Sequence, residues 1–264
     1  IGKSRFKSSS FKELIEEMIK NNICGTIAST YPLNEEIKIY EFQNKCTYLS
    51  KKYNLKIYPA WIIDDRKDDG INYLKKIKSI NPKENSLTII KFNANYINYA
   101  DFERIKKIIN NSLNLFNEKI IIYICTYPFY RFNNYDAIYD PISIVDKLAN
   151  LNINVPIVLL HGCTSRLLDA SLYAQHFKNI YIDISFTLCR YINSSLFKDL
   201  EYLFEYLDQK IIIGTDHPEY NYDDLRGNLV NIEKILLTRT NNQDLSNKLR
   251  NIFYKNLLNI TESF

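Results

Sequence analysis

The feature that most constrains this chain is a rhythm. Short, nearly uncharged runs rich in Ile, Val and Tyr alternate with longer stretches whose apolar residues recur at helical spacing. The runs that read as strands are Cys24–Ser29, Lys56–Ile63, Leu87–Asn93, Lys119–Thr126, Val155–His161, Ile180–Ser185 and Lys210–Thr215. Their apolar character is close to continuous, as a parallel strand covered on both faces requires. Helices are expected over Ser10–Asn21, Asn34–Tyr53, Gly70–Ile80, Tyr99–Asn117, Pro141–Asn150, Ser165–Phe177, Ser194–Asp208, Tyr222–Thr238 and Asn242–Leu258. Ser10 before FKEL, Asn34 before EEI and Ser194–Ser195 before LFKDL are suited to cap their helices.

Such alternation predicts one α/β domain over residues 1–264, with a mostly parallel sheet and helices around it. A helix follows each expected strand, and Ser10–Asn21 precedes the first. A closed barrel takes eight strand–helix pairs. The count therefore predicts a (β/α)8 TIM barrel whose first strand would fall just before Ile1. Without that strand, two sheet edges would be unpaired. The rival is an open doubly wound sheet, which should carry a glycine-rich phosphate turn. Neither GxGxxG nor GxxxxGK[ST] occurs, and the chain has only six glycines.

Composition narrows the partners. The net charge of +4 is spread along the chain with no basic stripe interleaved with aromatics, so no nucleic-acid partner is expected. No run of about 18 apolar residues exists, so no membrane span is expected. The five cysteines are an odd number without a CxxC pair. This argues against a disulfide framework or a cysteine-type zinc knuckle and for a reducing, cytoplasmic setting. Several of them sit in apolar runs, where an inert buried thiol is the ordinary explanation.

Catalytic groups of a barrel sit at the C-terminal ends of its strands. His161 closes the apolar run VPIVLLH. Its imidazole suits metal binding or proton transfer, and equally suits a hydrogen bond to a nearby carbonyl. Asp216 follows IIIGT, where a carboxylate can serve a metal and its water, or merely cap a turn before Pro218. Lys91 interrupts LTIIKFN as a substrate carboxylate anchor, a Schiff-base amine, a carbamylated metal bridge or a satisfied salt bridge inside the barrel. Asp183 in NIYIDIS reads better as an inward structural hydrogen bond than as a second site carboxylate. His217 flanks Asp216. Arg166 and Asp169, after HGCTS, either contact substrate or begin a solvated helix. Tyr127, Arg131, Arg166 and Tyr220 are placed where loops would select a substrate.

The order KFN, ICT, LLHG, NIYIDIS and IIIGTDHP resembles the amidohydrolase-related group of metal-dependent hydrolases and decarboxylases. The resemblance spans nearly the whole chain, and its second half is the more specific. It implies that Asp216 matches the last-strand aspartate, His161 the sixth-strand histidine and Lys91 the fourth-strand lysine. In that family the first strand carries a His-x-His pair, commonly succeeded by a glycine and then a helix. No such pair occurs in this chain, although Gly2 and the helix from about Phe11 resemble the stretch after that strand. The fifth-strand histidine is replaced by Cys125, which is either a thiolate ligand favouring zinc or a core cysteine.

The resemblance implies a metal-dependent hydrolase cutting a C–N or C–O bond of a small polar molecule. A divalent metal, zinc by its softer ligand, would activate the water. Asp216 and His161 would be catalytic, and Asp216, His161 and Cys125 would be metal ligands. Lys91, Arg166 and His217 would bind substrate. A non-oxidative decarboxylase of the same group and a catalytically silent binding barrel are the alternatives. A Lys91 Schiff-base lyase ranks below them. A homo-oligomer is compatible with the sequence.

Overall fold

The computed structural model describes residues 9–33, 35–64, 70–80, 87–127 and 140–262. The expectations at Gly2, Asn34 and Arg131 lie outside these residues.

The chain opens with α1 (Phe11–Lys20), then β1 (Gly25–Ser29), α2 (Glu36–Tyr53), β2 (Lys56–Ile62) and α3 (Ile71–Ile80). It continues through β3 (Thr88–Phe92), α4 (Phe102–Leu115), β4 (Ile120–Cys125), α5 (Pro141–Ala149) and β5 (Ile157–Leu160). After a tight 3-10 segment, His161–Arg166, come α6 (Leu167–His176), β6 (Ile180–Asp183), α7 (Thr187–Arg190) and α8 (Leu196–Tyr206). The last elements are β7 (Ile211–Ile212), α9 (Tyr222–Leu236), α10 (Asn242–Arg250) and α11 (Asn256–Glu262).

The strands form one seven-stranded sheet, β1 to β7 in chain order. Every neighbouring pair is parallel. Why the sheet curls shows in β4, IIIYIC. Ile120, Ile122 and Ile124 face outward into the core shared with the helices. Ile121, Tyr123 and Cys125 face inward. There they meet Ala60, Ile89, Val158, Leu160 and Ile212 from other strands in a second apolar cluster. Alternation along a strand buried on both faces thus supplies two cores at once. Burying one such isoleucine is worth roughly 1.5–3 kcal/mol.

Capping follows the sequence closely at α1, where Ser10 and Glu13 form a reciprocal capping box. Asn221 and Asp224 form another at α9. At α8 the hydroxyl of Ser194 accepts from the Leu196 amide, whereas Ser195 makes no side-chain cap bond.

The structure departs from the expected elements around β7. The strand is two residues long rather than six, because the chain turns away beyond Ile212 and reaches Asp216 in a left-handed conformation, φ 56°. The expected final helix is broken by a π-helical turn at Asn251–Lys255. Asparagines hold this turn beneath β7. The Asn251 amide donates to Asp208 Oδ2 at 2.6 Å. Asn256 Nδ2 donates to the Asp208 and Ile211 carbonyls, both at 2.7 Å.

The second of these bonds bears on the sheet edge. The Lys210 and Ile212 carbonyls accept from the amides of Ile182 in β6 and Ile184 just beyond it, so the Ile211 carbonyl faces the opposite, unladdered side. Asn256 meets it there, while Leu257 and Ile260 pack into the inner cluster. Glu262 then reaches Lys56 at the start of β2. At the other end of this β7–β1 seam, α1 clasps the loop after β7. His217 Nε2 pairs with Ser9 Oγ at 2.8 Å, and the Tyr222 amide donates to Glu17 at 2.7 Å. Lys20 meets Asp223 at 2.7 Å. The two edges expected to be bare are therefore partly dressed by flanking helices.

Candidate active site

The polar residues singled out from the strand ends gather mainly over β3 to β6. Lys91 of β3 sits level with Tyr123 of β4 in the ladder, and Cys125 is level with Leu160 of β5. Lys91 Nζ lies 3.4 Å from Ser29 Oγ. His161 is the first residue past Leu160. A regular continuation of β5 would carry its side chain to the outer face. Instead the backbone takes φ 66° at His161, and the imidazole comes near enough to the inward-facing Cys125 thiol for each to bear on the other's charge.

Neighbouring residues hold this turn in place. The left-handed run continues through Gly162 at φ 55°, Cys163 at φ 59° and Thr164 at φ 49°. The Cys163 amide donates to Thr126 Oγ1 at 2.8 Å, and Thr187 Oγ1 donates to the His161 carbonyl at 2.6 Å. A side chain at Gly162 would strike Leu167 at 2.7 Å and Ile182 at 3.0 Å. Glycine is therefore required there by space as well as by φ. Two further non-glycine residues with positive φ, Phe186 and Asp216, come after β6 and β7. Backbone strain of this kind, about 1–3 kcal/mol per residue, persists where surrounding structure over-determines it and clusters at functional sites.

His161 Nδ1 lies 3.1 Å from the Ser185 carbonyl. A carbonyl accepts and cannot donate, so Nδ1 carries a proton and Nε2 is the nitrogen free to exchange one. The pair is enclosed, with Cys125 1% and His161 5% exposed. Burial by itself opposes charge on either group. For His161 that effect is outweighed by the charge and hydrogen bond of Cys125, the charge of Asp216 and the Ser185 carbonyl, which raise it to about 9. For Cys125 burial is outweighed by the charge and hydrogen bond of His161 and the charge of Lys91, which hold it below the ordinary thiol value.

Asp183 is buried beside the pair. Its Oδ1 accepts from the Ser185 amide at 2.7 Å, the inward hydrogen bond read from the sequence. Burial, opposed by the Ser185 hydrogen bonds and the charge of His161, raises its carboxyl. The buried Tyr123 hydroxyl makes no hydrogen bond among the described residues, and Asp183 is close enough to act on it by charge. Aromatic rings surround the imidazole. Phe186 stands 5.6 Å and Tyr127 6.2 Å from it, and Tyr220 is 5.7 Å from Phe186.

The other sequence candidates lie further out. Asp216 is exposed, and its charge acts on His161. His217 points to Ser9 and borders a groove with Glu13, Glu16, Glu17, Lys20 and Pro218 on the α1 side. Arg166 is held by Asp140 and Asp169. Ser185, Thr187 and Phe186 were not singled out as site residues. Their importance depends on a left-handed turn that no residue type announces, since Phe186 and His161 are ordinary L-residues.

Among the described residues, no three His, Cys, Asp or Glu side chains come together as a group that could hold a metal ion. The soft pair Cys125–His161 has zinc-compatible chemistry, but a metal there would need donors beyond these residues. Among the described residues, no helix is long and apolar enough to cross a membrane.

Sequence comparison finds no matching family and no matching curated protein. Comparison of folds finds an uncharacterized TIM-barrel protein from Bordetella bronchiseptica. It aligns at a TM-score of 0.68 with 15% identity, over 95% of this chain and 82% of its own. The fold is that of a TIM barrel. Among the described residues seven of its strands are present, curled with helices between them. In barrels of this kind, loops at the C-terminal ends of the strands carry the chemistry, and Lys91, Cys125, His161, Asp183 and Asp216 all lie at that end.

Proposed function

We propose that the chain is a hydrolase that cleaves a C–N or C–O bond of a small polar substrate at the C-terminal mouth of its barrel. The observation that carries this reading is the buried His161 imidazole, its Nδ1 held by the Ser185 carbonyl at 3.1 Å, with Cys125 and Asp216 near enough to act on it by charge. A buried imidazole fixed by a second group and set among other ionisable side chains suits proton transfer in hydrolysis. The order of motifs shared with the amidohydrolase-related group supports the same reaction class.

Each side chain has a distinct part. His161 holds and moves a proton at Nε2, its Nδ1 being committed to Ser185. Asp216, exposed at the mouth, favours the charged imidazole and can take a proton from an entering water. Lys91 places positive charge next to Cys125 and toward an incoming carbonyl oxygen. A metal-activated water, as the resemblance implies, would require ligands additional to the described ones, so the proton and charge handling is assigned to these side chains.

The test is a hydrolysis screen of the purified chain against small amides, lactones and esters, repeated after chelation and with added zinc. Asp216→Asn and His161→Gln should each lower kcat/KM by about 10²- to 10⁴-fold while circular dichroism stays unchanged. Folded variants with the parent's rate would refute the reading and favour a barrel that only binds.

A further inference from the structure

We propose that Lys91, Tyr123 and Ser29 form a subsite that holds a carboxylate of the substrate, apart from the bond that is cut. The inference rests on the hydrolase reading above and deepens it by naming a substrate class: small molecules that bear an acid group. The ladder places the three residues together. Lys91 of β3 and Tyr123 of β4 are register partners, and partners in a sheet share a face. Ile90 and Phe92, on either side of Lys91, belong to the outer core, whereas Tyr123 belongs to the inner cluster. Both side chains therefore enter the barrel at one level. Lys91 Nζ reaches Ser29 Oγ, at the end of β1, across 3.4 Å.

What these groups lack is an acceptor. Tyr123 is 4% exposed, and its hydroxyl has no hydrogen-bond partner among the described residues. Native folds rarely bury a hydroxyl in this way, because it forfeits its bonds to water. Among the described residues no salt bridge holds the Lys91 ammonium either, and Ser29 is its hydrogen-bond partner. An ammonium has three N–H bonds and no acceptor, so Ser29 leaves two for a ligand. One can meet the acid and the other the carbonyl oxygen next to Cys125. A phenol and an ammonium side by side suit an oxygen acid, whose two oxygens accept from Tyr123 Oη and Lys91 Nζ together.

Charge and access narrow the acid to a carboxylate. One ammonium balances a single negative charge, which fits a carboxylate better than a phosphate dianion. Asp183 is the acidic group whose charge acts on Tyr123. It is engaged by the Ser185 amide, and burial raises its carboxyl, which lessens its repulsion of an entering anion. Exposure falls along the row, from exposed Ser29 through half-buried Lys91 to buried Tyr123. The acid therefore enters past Ser29 and comes to rest against Tyr123. Lys91 also acts on Cys125 by charge, so a substrate held here lies beside the residues assigned to proton transfer.

The experiment titrates the full chain with carbon-13 acetate at constant ionic strength and follows the bound ligand by NMR. Acetamide is the neutral control and inorganic phosphate the dianion control. Acetate should saturate one site with a Kd of about 1–10 mM, as a four-atom ligand allows. Acetamide and phosphate should each bind at least about 10-fold more weakly. Tyr123→Phe should weaken acetate about 10-fold and Lys91→Met about 10- to 100-fold. Both substitutions keep the bulk of the side chain, and if Lys91→Met does not fold, Tyr123→Phe carries the test. Tyr123→Phe should also leave the urea midpoint no lower than the parent's, since its hydroxyl bonds none of the described residues. A fall in that midpoint would make the hydroxyl structural and overturn the proposal. So would acetate that fails to saturate, acetate that binds both variants as it binds the parent, or phosphate that binds as tightly as acetate. Hydrolysis lost in His161→Gln, with the KM of an acid-bearing substrate unmoved by Tyr123→Phe and Lys91→Met, would leave the hydrolase reading standing without the subsite. Acetate binding that both variants weaken, with no substrate found in the screen, would uphold the subsite and remove the hydrolase reading.

Discussion

The barrel is held together differently on its two sides. Over β4 to β6 the ladder is continuous, and the loops above it are fixed by buried bonds between backbone and side chain, such as Cys163 to Thr126 and Thr187 to His161. Across the seam from β7 to β1 there is no ladder among the described residues. Side chains stand in for it: one buried asparagine, one histidine–serine contact and ion pairs at the surface. Buried bonds without competing water resist loss, whereas exposed pairs trade places with solvent at little cost. Backbone strain is concentrated accordingly at the β4–β6 mouth, in the run His161–Thr164 and at Phe186, whereas beyond β7 it falls on Asp216. The Cys125–His161 pair lies at the β4–β6 mouth.

One substitution made on both sides should show this most strongly. Gly162→Ala forces a Cβ into Leu167 and Ile182 at a positive φ. It should cost about 2–4 kcal/mol of stability in urea unfolding, combining overpacking with backbone strain. Gly227, exposed in α9 on the seam side, has nothing within 4 Å of where its Cβ would be. Gly227→Ala should instead stabilise by about 0.5–1 kcal/mol through helix propensity. Equal effects from the two would break the comparison.

The next largest effect should come from the one buried bond set of the seam. Asn256→Ala removes both amide bonds and leaves the Ile211 carbonyl buried without a donor. A loss of about 1–3 kcal/mol is expected in urea unfolding. A loss below about 0.3 kcal/mol would mean that water reaches that edge and that α11 only lies over it.

The sequence allowed the sheet to be read because a parallel strand buried on both faces leaves a continuous apolar run, and IIIYIC is as plain a case as occurs. It allowed the strand-end residues to be named for the same reason, since His161 and Asp216 each interrupt such a run. The pairing was not legible. From the sequence Cys125 reads as a thiolate ligand favouring zinc or as a core thiol, and its nearness to His161 depends on a turn that Gly162, Thr126 and Thr187 hold together across three elements. The break before α11 was hidden similarly. Asn256 falls in a helical pattern, and its partner carbonyls lie 45 and 48 residues earlier in the chain.

The smallest effect should come from the surface clasp. Lys20 and Asp223 are bonded at 2.7 Å, but their side chains are 62% and 60% exposed. Each keeps most of its hydration, and salt screens what attraction remains. Lys20→Ala should therefore leave the urea midpoint unchanged within error, at low and at physiological salt alike. Glu17, which accepts from the Tyr222 amide at 2.7 Å, remains in that variant to join α1 to the start of α9. A midpoint shift as large as that of Asn256→Ala would show that α1 closes the seam through this ion pair. The seam would then be an electrostatic latch, and its two ends would no longer differ in kind.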